Sequence, residues 1–274
     1  MSRFHLTTLL TIVVVGSALL PSGCAIPRVV ATILVLVYVV LFGLGVCFIQ
    51  FRFFGPVIYR ASVGEKVCAL TFDDGPDAMA TEPLLALLTR EGIHAAFFCV
   101  GARVLEFPDL ACRIVGAGHL LENHTQRHAW WTNFLPTAAL SEEISRAQDS
   151  IRTATGSSPR YYRPPVGLTS PAVPRVMRQL GLECVGWDVR SLDRSRISAA
   201  RVVRRVRRGL REGSIILLHD GGVDPSRLLS IVEQVIAFAR SQGYRFVRLD
   251  EMLGHKADVP TTGLEEQAGR VRRT

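Results

Sequence analysis

The feature that most constrains this chain is a long run near its N-terminus that carries no charged residue. The run extends from Val29 to Phe51, and its most polar member is Gln50. With a rise of 1.5 Å per residue, a helix over this run is long enough to cross a hydrocarbon core of ~30 Å. We therefore predict a transmembrane helix here; the alternative is a helix buried in a protein core.

A shorter apolar run, Leu6–Leu20, precedes it and ends at the sequence Pro-Ser-Gly-Cys. It fits either the hydrophobic part of a signal peptide or a first membrane helix. We favour a hairpin of two membrane helices, so that residues 1–52 form a membrane anchor. Arg28 lies between the runs, and Arg3 and Arg52 lie outside them, which favours both ends on the cytoplasmic side. These few charges do not fix the side of the membrane on which the rest of the chain lies.

After the anchor, short apolar stretches alternate with segments of helical periodicity. The predicted strands are Val67–Phe72, Ala95–Val100, His119–Glu122, Tyr161–Arg163, Glu183–Trp187, Ser214–Leu218 and Arg245–Leu249. The predicted helices are Thr81–Glu91, Pro108–Ala117, Thr137–Thr153, Ser170–Leu180, Ser198–Arg211 and Ser226–Gln242. This alternation predicts a parallel sheet, and about seven repeats favour an α/β barrel whose functional residues lie where the strands end. We expect one such domain over residues 65–254 and a disordered tail over residues 255–274.

Two adjacent acids, Asp73 and Asp74, follow the first predicted strand and precede the turn-forming pair Gly75 and Pro76. Adjacent side chains point in different directions, so one carboxylate can bind a metal ion while the other faces a substrate. An ordinary acidic turn is the alternative interpretation, because Asp-Gly is common in turns.

Two histidines, His124 and His128, follow the third predicted strand. Four residues apart on a helical turn, they would face the same side, and this spacing suits one zinc ion. We predict that they bind a divalent metal, Zn²⁺ in preference to Co²⁺ or another ion, together with Asp74. Three protein ligands leave a position open to water, as in catalytic rather than structural zinc sites. Two unrelated surface histidines are the alternative.

Three further polar clusters lie at predicted strand ends. Arg163 precedes two prolines, which stiffen the segment that carries it. Asp193 is the last residue of the sequence Gly-Trp-Asp-Val-Arg-Ser-Leu-Asp, and His219 ends a predicted apolar strand. A single histidine is usually structural, but this one lies at the edge of the sheet where the functional residues are expected.

The five clusters, in this order and at these separations, resemble those of the polysaccharide deacetylase family (the NodB homology domain, carbohydrate esterase family 4). The resemblance covers about Glu65 to Gly254. It implies a distorted (β/α) barrel and metal-dependent removal of an N-acyl group from an amino sugar. The roles that it implies are a base (Asp73), metal ligands (Asp74, His124 and His128), a residue that orients the base (Arg163), a general acid (His219) and a partner that tunes this acid (Asp193).

The sequence departs from the family pattern at three positions. Val166 stands where the family has an aromatic residue after the prolines. Arg190 and Arg194 stand where the fourth motif has an aspartate and a tryptophan. These positions help to wall the cleft, so the departures concern the substrate and leave the metal ligands and the acid intact. Extra arginines would suit an anionic substrate, such as a phosphate-linked lipid glycan.

The net charge of +8 at pH 7 comes from arginine, since only Lys66 and Lys256 are lysines. The segment with the highest density of arginines, Arg201–Arg211, is predicted to be a helix with valines on one face and arginines on the other. A solvated helix face is the plain interpretation, and contact with anionic lipid headgroups is the alternative. No nucleic-acid partner is predicted, because no recognised binding motif accompanies the charge. The six cysteines show no metal-binding spacing.

The sequence thus predicts a membrane-anchored hydrolase that removes an N-acyl group, such as acetyl, from an amino sugar. The substrate would be a cell-envelope polysaccharide, such as peptidoglycan, or a lipid-linked glycan, which the anchor and the arginines mildly favour. A non-catalytic glycan-binding module with the same fold is the alternative; it predicts the loss of a catalytic residue, and none of the principal ones is missing. A phosphatase is disfavoured because it needs Asp-x-Asp rather than adjacent aspartates.

Overall fold

A computed structural model describes residues 2–18 and 26–255 of the chain. Its centre is a sheet of eight strands in which every neighbouring pair is parallel. The strands are β1 (Val67–Asp73), β2 (Ala96–Cys99), β3 (Leu120–Asn123), β4 (Tyr161–Tyr162), β5 (Glu183–Cys184), β6 (Val189–Arg190), β7 (Ser214–His219) and β8 (Arg245–Phe246). They lie in the order β5-β4-β3-β2-β1-β7-β6, and β8 pairs with the start of β1.

Strand β1 lies in the middle of the sheet, and all seven of its residues are buried. Its side chains alternate between two cores, as the two-residue period of a strand requires. Leu70 and Phe72 join the larger core, which the helices cover, whereas Val67 and Ala69 join a smaller core on the other face. A strand covered on both faces is apolar along its length, which explains why the sequence signal for β1 is strong.

The helices pack around this sheet, and several end at a left-handed residue. They are α3 (Thr81–Arg90), α4 (Gly101–Glu106), α5 (Pro108–Gly116), α6 (Thr137–Thr155), α7 (Val173–Leu180), α8 (Ala199–Gly209), α9 (Pro225–Ser241) and α10 (Leu249–Met252). Short 3₁₀ helices cover Ile49–Phe51, Thr132–Phe134 and Pro165–Gly167. Gly156 and Gly181 have φ values of 70° and 67° and end α6 and α7, where glycine carries no Cβ penalty.

The predicted fold class, a distorted (β/α) barrel of parallel strands, is confirmed. The sheet curves into a half-barrel whose outer strands are β5 and β6. The segment before β1 pairs with the rest of the fold at two places. Ile58 forms an isolated β-bridge to Val185, and Arg60 forms one to Ser214. These bridges partly fill the space that a regular barrel would close with a full strand.

Two N-terminal helices precede the sheet, α1 (Arg3–Ala18) and α2 (Ile26–Cys47). They contact each other, and the hydroxyls of Thr8 and Tyr38 lie 2.9 Å apart. Within α2, the segment Val29–Cys47 is long and apolar enough to cross a membrane, and almost none of it is buried against the rest of the protein. Helix α1 is apolar but shorter.

Two of the sequence expectations fall outside the described residues. The segment between α1 and α2, which contains the Pro-Ser-Gly-Cys sequence, is one of them, and residues 256–274 of the expected tail are the other.

The structure corrects several predicted boundaries. The second apolar run does not continue as one helix to Phe51, since α2 ends at Cys47 and the following residues fold against the sheet, with Ile49, Phe53 and Val57 buried. Three of these helices and strands were not predicted, α4, β6 and α10, because none of them is long enough to show a periodic pattern. The predicted strand over residues 245–249 is wrong in its second half, because β8 ends at Phe246 and α10 begins at Leu249.

Candidate active site

The candidate site lies at the carboxyl ends of the central strands. Asp73 ends β1 and is the register partner of His219, which ends β7. His124 directly follows β3, so its imidazole reaches the same edge. A cleft of about 300 Å³ opens there, and five of the predicted site residues line it: Asp73, Asp74, His124, His128 and His219. The other two, Arg163 and Asp193, are buried behind them.

Asp74, His124 and His128 converge on one point. Oδ1 of Asp74 lies 3.3 Å from Nε2 of His124 and 2.9 Å from Nε2 of His128. One ligand atom from each residue falls within 4.8 Å of the others. Nδ1 of His124 lies 2.7 Å from the carbonyl oxygen of Arg163, so a proton on Nδ1 leaves the Nε2 lone pair facing the cleft.

The charge at this point fits a divalent cation. Oδ1 of Asp74 is buried and accepts no hydrogen bond from the described residues, although two imidazole nitrogens face it. Burial favours the neutral acid, but the adjacent imidazoles outweigh it and hold the pKa of Asp74 well below its usual range. A buried, ionised carboxylate oxygen without a donor, beside two ring nitrogens, is a suitable ligand set for a metal ion.

The loop that carries the histidines is not the helical turn that the sequence suggested. Residues 124–128 form an irregular loop, in which Thr125 and His128 have φ values of 69° and 56°. Oδ1 of Asn123 accepts a hydrogen bond from the Thr125 backbone N–H at 2.9 Å, and the Thr125 hydroxyl accepts one from the His128 N–H at 3.0 Å. These bonds hold the left-handed residues in place, and the centroids of the two imidazole rings lie 4.8 Å apart. The predicted helical turn was therefore wrong, although the two histidines are neighbours as predicted.

Arg163 fixes the carboxylate of Asp73. Its side chain is fully buried, and its Nη1 donates to Oδ1 of Asp73 at 2.6 Å and to the Thr71 hydroxyl at 2.9 Å. Nη2 donates to the carbonyl oxygen of Gly186 at 3.0 Å, and the guanidinium lies 3.9 Å from the ring centroid of Phe98. Oδ1 of Asp73 is thereby committed to Arg163, which leaves Oδ2 turned toward His124 at 3.8 Å.

Asp193 holds His219 through two hydrogen bonds. Nδ1 of His219 lies 2.8 Å from Oδ1 of Asp193, and the His219 backbone N–H donates to Oδ2 at 2.8 Å. The Ser191 hydroxyl also donates to Oδ1, at 2.7 Å. Burial lowers the pKa of His219, but the hydrogen bond and charge of Asp193 outweigh it, so the pKa lies above its usual value. The same bonds hold the pKa of Asp193 below its usual value despite burial.

The sequence assigned Val166 to the cleft wall but did not identify the other apolar residues that line it. Trp187 and Leu217 lie in its wall, and Gly167, with φ of 75°, packs so closely against the Trp187 ring that no Cβ would fit. The only signal for Trp187 was its place in the fourth polar cluster. Asp188, in the same cluster, does not line the cleft, and its carboxylate accepts a hydrogen bond from the Ser214 hydroxyl at 2.9 Å.

The two arginines that depart from the family pattern both line the cleft. Arg194 is about half exposed, and its guanidinium donates to Oδ2 of Asp74, the oxygen opposite the one that faces the histidines. Arg190 is exposed and lies over Trp187, with its guanidinium carbon 5.8 Å from the ring centroid. The walls of the cleft are therefore more basic than its floor, where Asp73 and Asp74 lie.

Comparison with known proteins agrees with this geometry. The sequence profile of the family "Polysaccharide deacetylase" matches residues 60–185. A peptidoglycan-N-acetylglucosamine deacetylase of Bacillus cereus is 32% identical over 204 residues, which cover 74% of this chain and 95% of that protein.

Solved structures give the same fold. A family 4 carbohydrate esterase from Streptomyces lividans, in complex with acetate, is 33% identical with a TM-score of 0.61, covering 73% of this chain and 96% of that one. A mutant of the Bacillus anthracis CE4 family pseudoenzyme BA3943, with restored enzymatic activity, is 26% identical with a TM-score of 0.67. The match covers 72% of this chain and 71% of that one. The chain therefore belongs to the polysaccharide deacetylase family and is an N-deacetylase, a hydrolase of carbon–nitrogen bonds, as its sequence predicts.

Proposed function

We propose that this protein is a membrane-anchored, metal-dependent hydrolase that removes the N-acetyl group from an amino sugar of a cell-envelope glycan. Residues 1–52 form the anchor in this proposal, and residues 65–254 form the catalytic domain. The observation that carries it is the convergence of Asp74, His124 and His128 in a cleft that also holds Asp73 and His219.

The proposed metal site uses one oxygen of Asp74 and Nε2 of both His124 and His128. A divalent metal ion, most suitably Zn²⁺, supplies Lewis acidity there, which polarises an acyl carbonyl and makes a water molecule more acidic. Two imidazoles and one carboxylate, with a position left open, are one of the ligand sets that proteins supply to a catalytic zinc ion.

In the proposed mechanism, Asp73 acts as the general base. Its Oδ2 is free to take a proton from the attacking water, because Oδ1 is held by Arg163. Arg163 therefore positions the base. Its contacts to Thr71 and Gly186 prevent the guanidinium from moving toward the substrate.

His219 acts as the general acid in this proposal. Its Nδ1 faces Asp193, so Nε2 is the nitrogen available to protonate the leaving amine. Asp193 positions the ring and stabilises the imidazolium, which is the form that donates the proton. The products are a carboxylic acid and a free sugar amine.

A backbone N–H is available for the developing oxyanion. The sequence indicated a donor near Arg163–Gly167, and within this segment the two prolines carry no N–H group. Arg163 and Gly167 donate their N–H groups to other backbone carbonyls, whereas Val166 N–H donates to none of the described residues and Val166 lines the cleft. We assign this N–H to the oxyanion.

Acetate release by the purified full-length protein tests the proposal. With an N-acetylglucosamine oligomer and Zn²⁺, we expect acetate and free amine in equal amounts. Asp73→Asn is expected to remove this activity and retain the metal, whereas Asp109→Asn, on an exposed turn of α5, serves as the matched control. A non-catalytic glycan-binding module would instead bind the oligomer and release no acetate.

A further inference from the structure

The C-terminal end of α2 is hydrogen-bonded to one wall of the cleft. The backbone N–H of Thr169 donates to the carbonyl oxygen of Val46 at 3.1 Å, and the Thr169 hydroxyl donates to that of Gly45 at 3.1 Å. Thr169 follows closely after Val166 and Gly167, both of which line the cleft. The membrane-type helix and the catalytic cleft are therefore connected by direct contacts rather than by a loose linker.

Trp187, which packs against Gly167 in the cleft lining, is contacted by the residues that follow α2. Nε2 of Gln50 donates to the backbone carbonyl of Trp187 at 2.9 Å. Ile49 is buried and lies against Gly186, where a Cβ would come within 3.2 Å of its Cγ2. Both parts of the cleft lining are thus contacted by the last turn of α2 or by the residues that directly follow it.

These contacts limit the distance between the cleft and the membrane. Val46 lies one residue before the end of the apolar segment Val29–Cys47. Three residues of extended chain, the separation of Thr169 from Val166, span at most about 10 Å. A headgroup layer is roughly 5–8 Å thick on each side of the hydrocarbon core. If α2 crosses a bilayer, the Val166 wall of the cleft lies close to the headgroups.

Large apolar side chains are exposed around the same place. Phe48 and Phe51, directly after α2, are 48% and 47% exposed. Trp130 and Trp131, just after the cleft residue His128, are 61% and 53% exposed. Tryptophan is enriched where proteins meet the membrane–water interface, because its ring is amphipathic.

The charges of the cleft favour an anion beside the reacting amide. Arg190 is exposed in the cleft and forms no ion pair with a carboxylate of the described residues. Arg194 contacts Asp74 with one guanidinium nitrogen and is still about half exposed. The planar fork of donors on arginine suits phosphate oxygens in particular.

From these contacts and charges, and resting on the proposed deacetylase function, we infer that the substrate is an N-acylated amino sugar joined through phosphate to a membrane lipid. The cleft takes this sugar at the bilayer surface, with Arg190 and Arg194 facing the phosphate. A sugar on a lipid phosphate lies next to the headgroups, which is where α2 holds the cleft. A mature cell-wall polymer needs neither the closeness to the bilayer nor the arginines.

Three N-acetylglucosamine substrates distinguish the possible sources of the anion. The full-length protein in phospholipid nanodiscs, loaded with Zn²⁺, is given a polyprenyl-diphosphate sugar, a soluble nucleotide-diphosphate sugar or a neutral oligomer. We expect kcat/KM to be at least tenfold higher for the polyprenyl substrate than for the other two. Equal values for the nucleotide sugar would overturn the lipid source, and a preference for the neutral oligomer would overturn the inference while leaving the deacetylase function intact. No acetate from any substrate would contradict the proposed function itself.

Arg190→Gln tests the anion contact. The ratio of kcat/KM for the polyprenyl substrate to that for the neutral oligomer is expected to fall about tenfold. Arg146→Gln, which removes an exposed arginine on α6, is the matched control and should leave the ratio unchanged. An unchanged ratio in Arg190→Gln would overturn the assignment of the phosphate to this arginine.

The position of the cleft at the bilayer can be tested without catalysis. The chain has three tryptophans, Trp130, Trp131 and Trp187, and all lie in or beside the cleft. In vesicles of brominated phospholipid, we expect the emission of the full-length protein to fall by about half. The double variant Trp130→Phe, Trp131→Phe, which leaves Trp187, should be quenched less. Equal emission of the wild-type protein in brominated and unbrominated vesicles would overturn the inference.

Discussion

The carboxylate of Asp193 contacts His219 at two points. Nδ1 of the imidazole ring and the nitrogen of the backbone N–H each lie 2.8 Å from one of its oxygens. The carboxylate thereby sets the tautomer, the orientation and the charge of the imidazole together. Since the His219 pKa is raised by this partner against the effect of burial, the imidazolium persists to higher pH than in an isolated histidine.

Asp193→Asn should therefore move the alkaline limb of the pH–rate profile. Without the carboxylate, burial lowers the pKa of His219, and the protonated acid is lost at lower pH. We expect the alkaline limb of kcat/KM to shift toward acid by at least half a pH unit and the rate at pH 8 to fall several-fold. The profile measured from pH 5 to 10 decides this, and an alkaline limb at the wild-type position would argue against His219 as the acid.

Replacement of either histidine ligand should remove metal and activity together. His124→Ala and His128→Ala each leave two of the three ligands, and we expect the bound metal to fall below about a tenth of the wild-type content. Metal analysis of the dialysed protein measures this directly. His94→Ala, on an exposed histidine outside the cleft, is the control. Retention of one metal per chain in both ligand variants would rule out this site.

Arg163 should contribute to stability as well as to activity. It is fully buried, and Arg163→Met leaves the Asp73 carboxylate buried without its partner. Loss of one member of a buried ion pair costs about 3–5 kcal/mol. We expect a lower midpoint of thermal unfolding in detergent, by several degrees, whereas the exposed Arg146→Gln should unfold as the wild type does. Equal midpoints for Arg163→Met and the wild type would contradict the buried ion pair.

Glu122 should make stability depend on pH. It lies in the buried part of β3, where its carboxylate accepts hydrogen bonds from the N–H groups of Arg160 and Tyr161, at 2.9 and 2.7 Å. Burial raises its pKa to about 8, so the folded protein holds a proton that the unfolded chain releases near pH 4.5. The contribution of Glu122 to the free energy of unfolding is therefore complete below pH 4.5 and is lost as the pH rises toward 8.

The Glu122→Gln variant isolates this effect. It keeps an acceptor oxygen for the two N–H groups but cannot ionise, so we expect its thermal midpoint to fall less between pH 5 and 8 than that of the wild type. An identical pH dependence in the two proteins would show that Glu122 is not the group responsible.

The candidate site residues could be found from the sequence because most of them lie at or just after strand ends. Asp73 and His219 each end a continuous apolar strand, and neighbouring parallel strands must bring their ends to one edge of the sheet. No local pattern could show that Asp193 contacts His219, which lies far along the chain. That pairing came only from the family resemblance, and the structure places the two residues in contact.

Other parts of the site depend on tertiary contacts that no periodicity reveals. The loop of His124 and His128 is shaped by hydrogen bonds from Asn123 and Thr125, not by helical spacing. The apolar run after Val29 looks continuous, yet α2 ends at Cys47 because the next residues pack against the barrel. The contact between Gln50 and Trp187 joins distant parts of the chain and has no sequence signature.

Metal reconstitution of the full-length protein tests the central claim most directly. The chelated protein is mixed with an N-acetylglucosamine oligomer, and acetate is measured before and after addition of one equivalent of Zn²⁺. The account predicts no release from the chelated protein, release after addition of Zn²⁺, and no recovery in the Asp74→Ala variant. Acetate release by the chelated protein, or full recovery in Asp74→Ala, would contradict it.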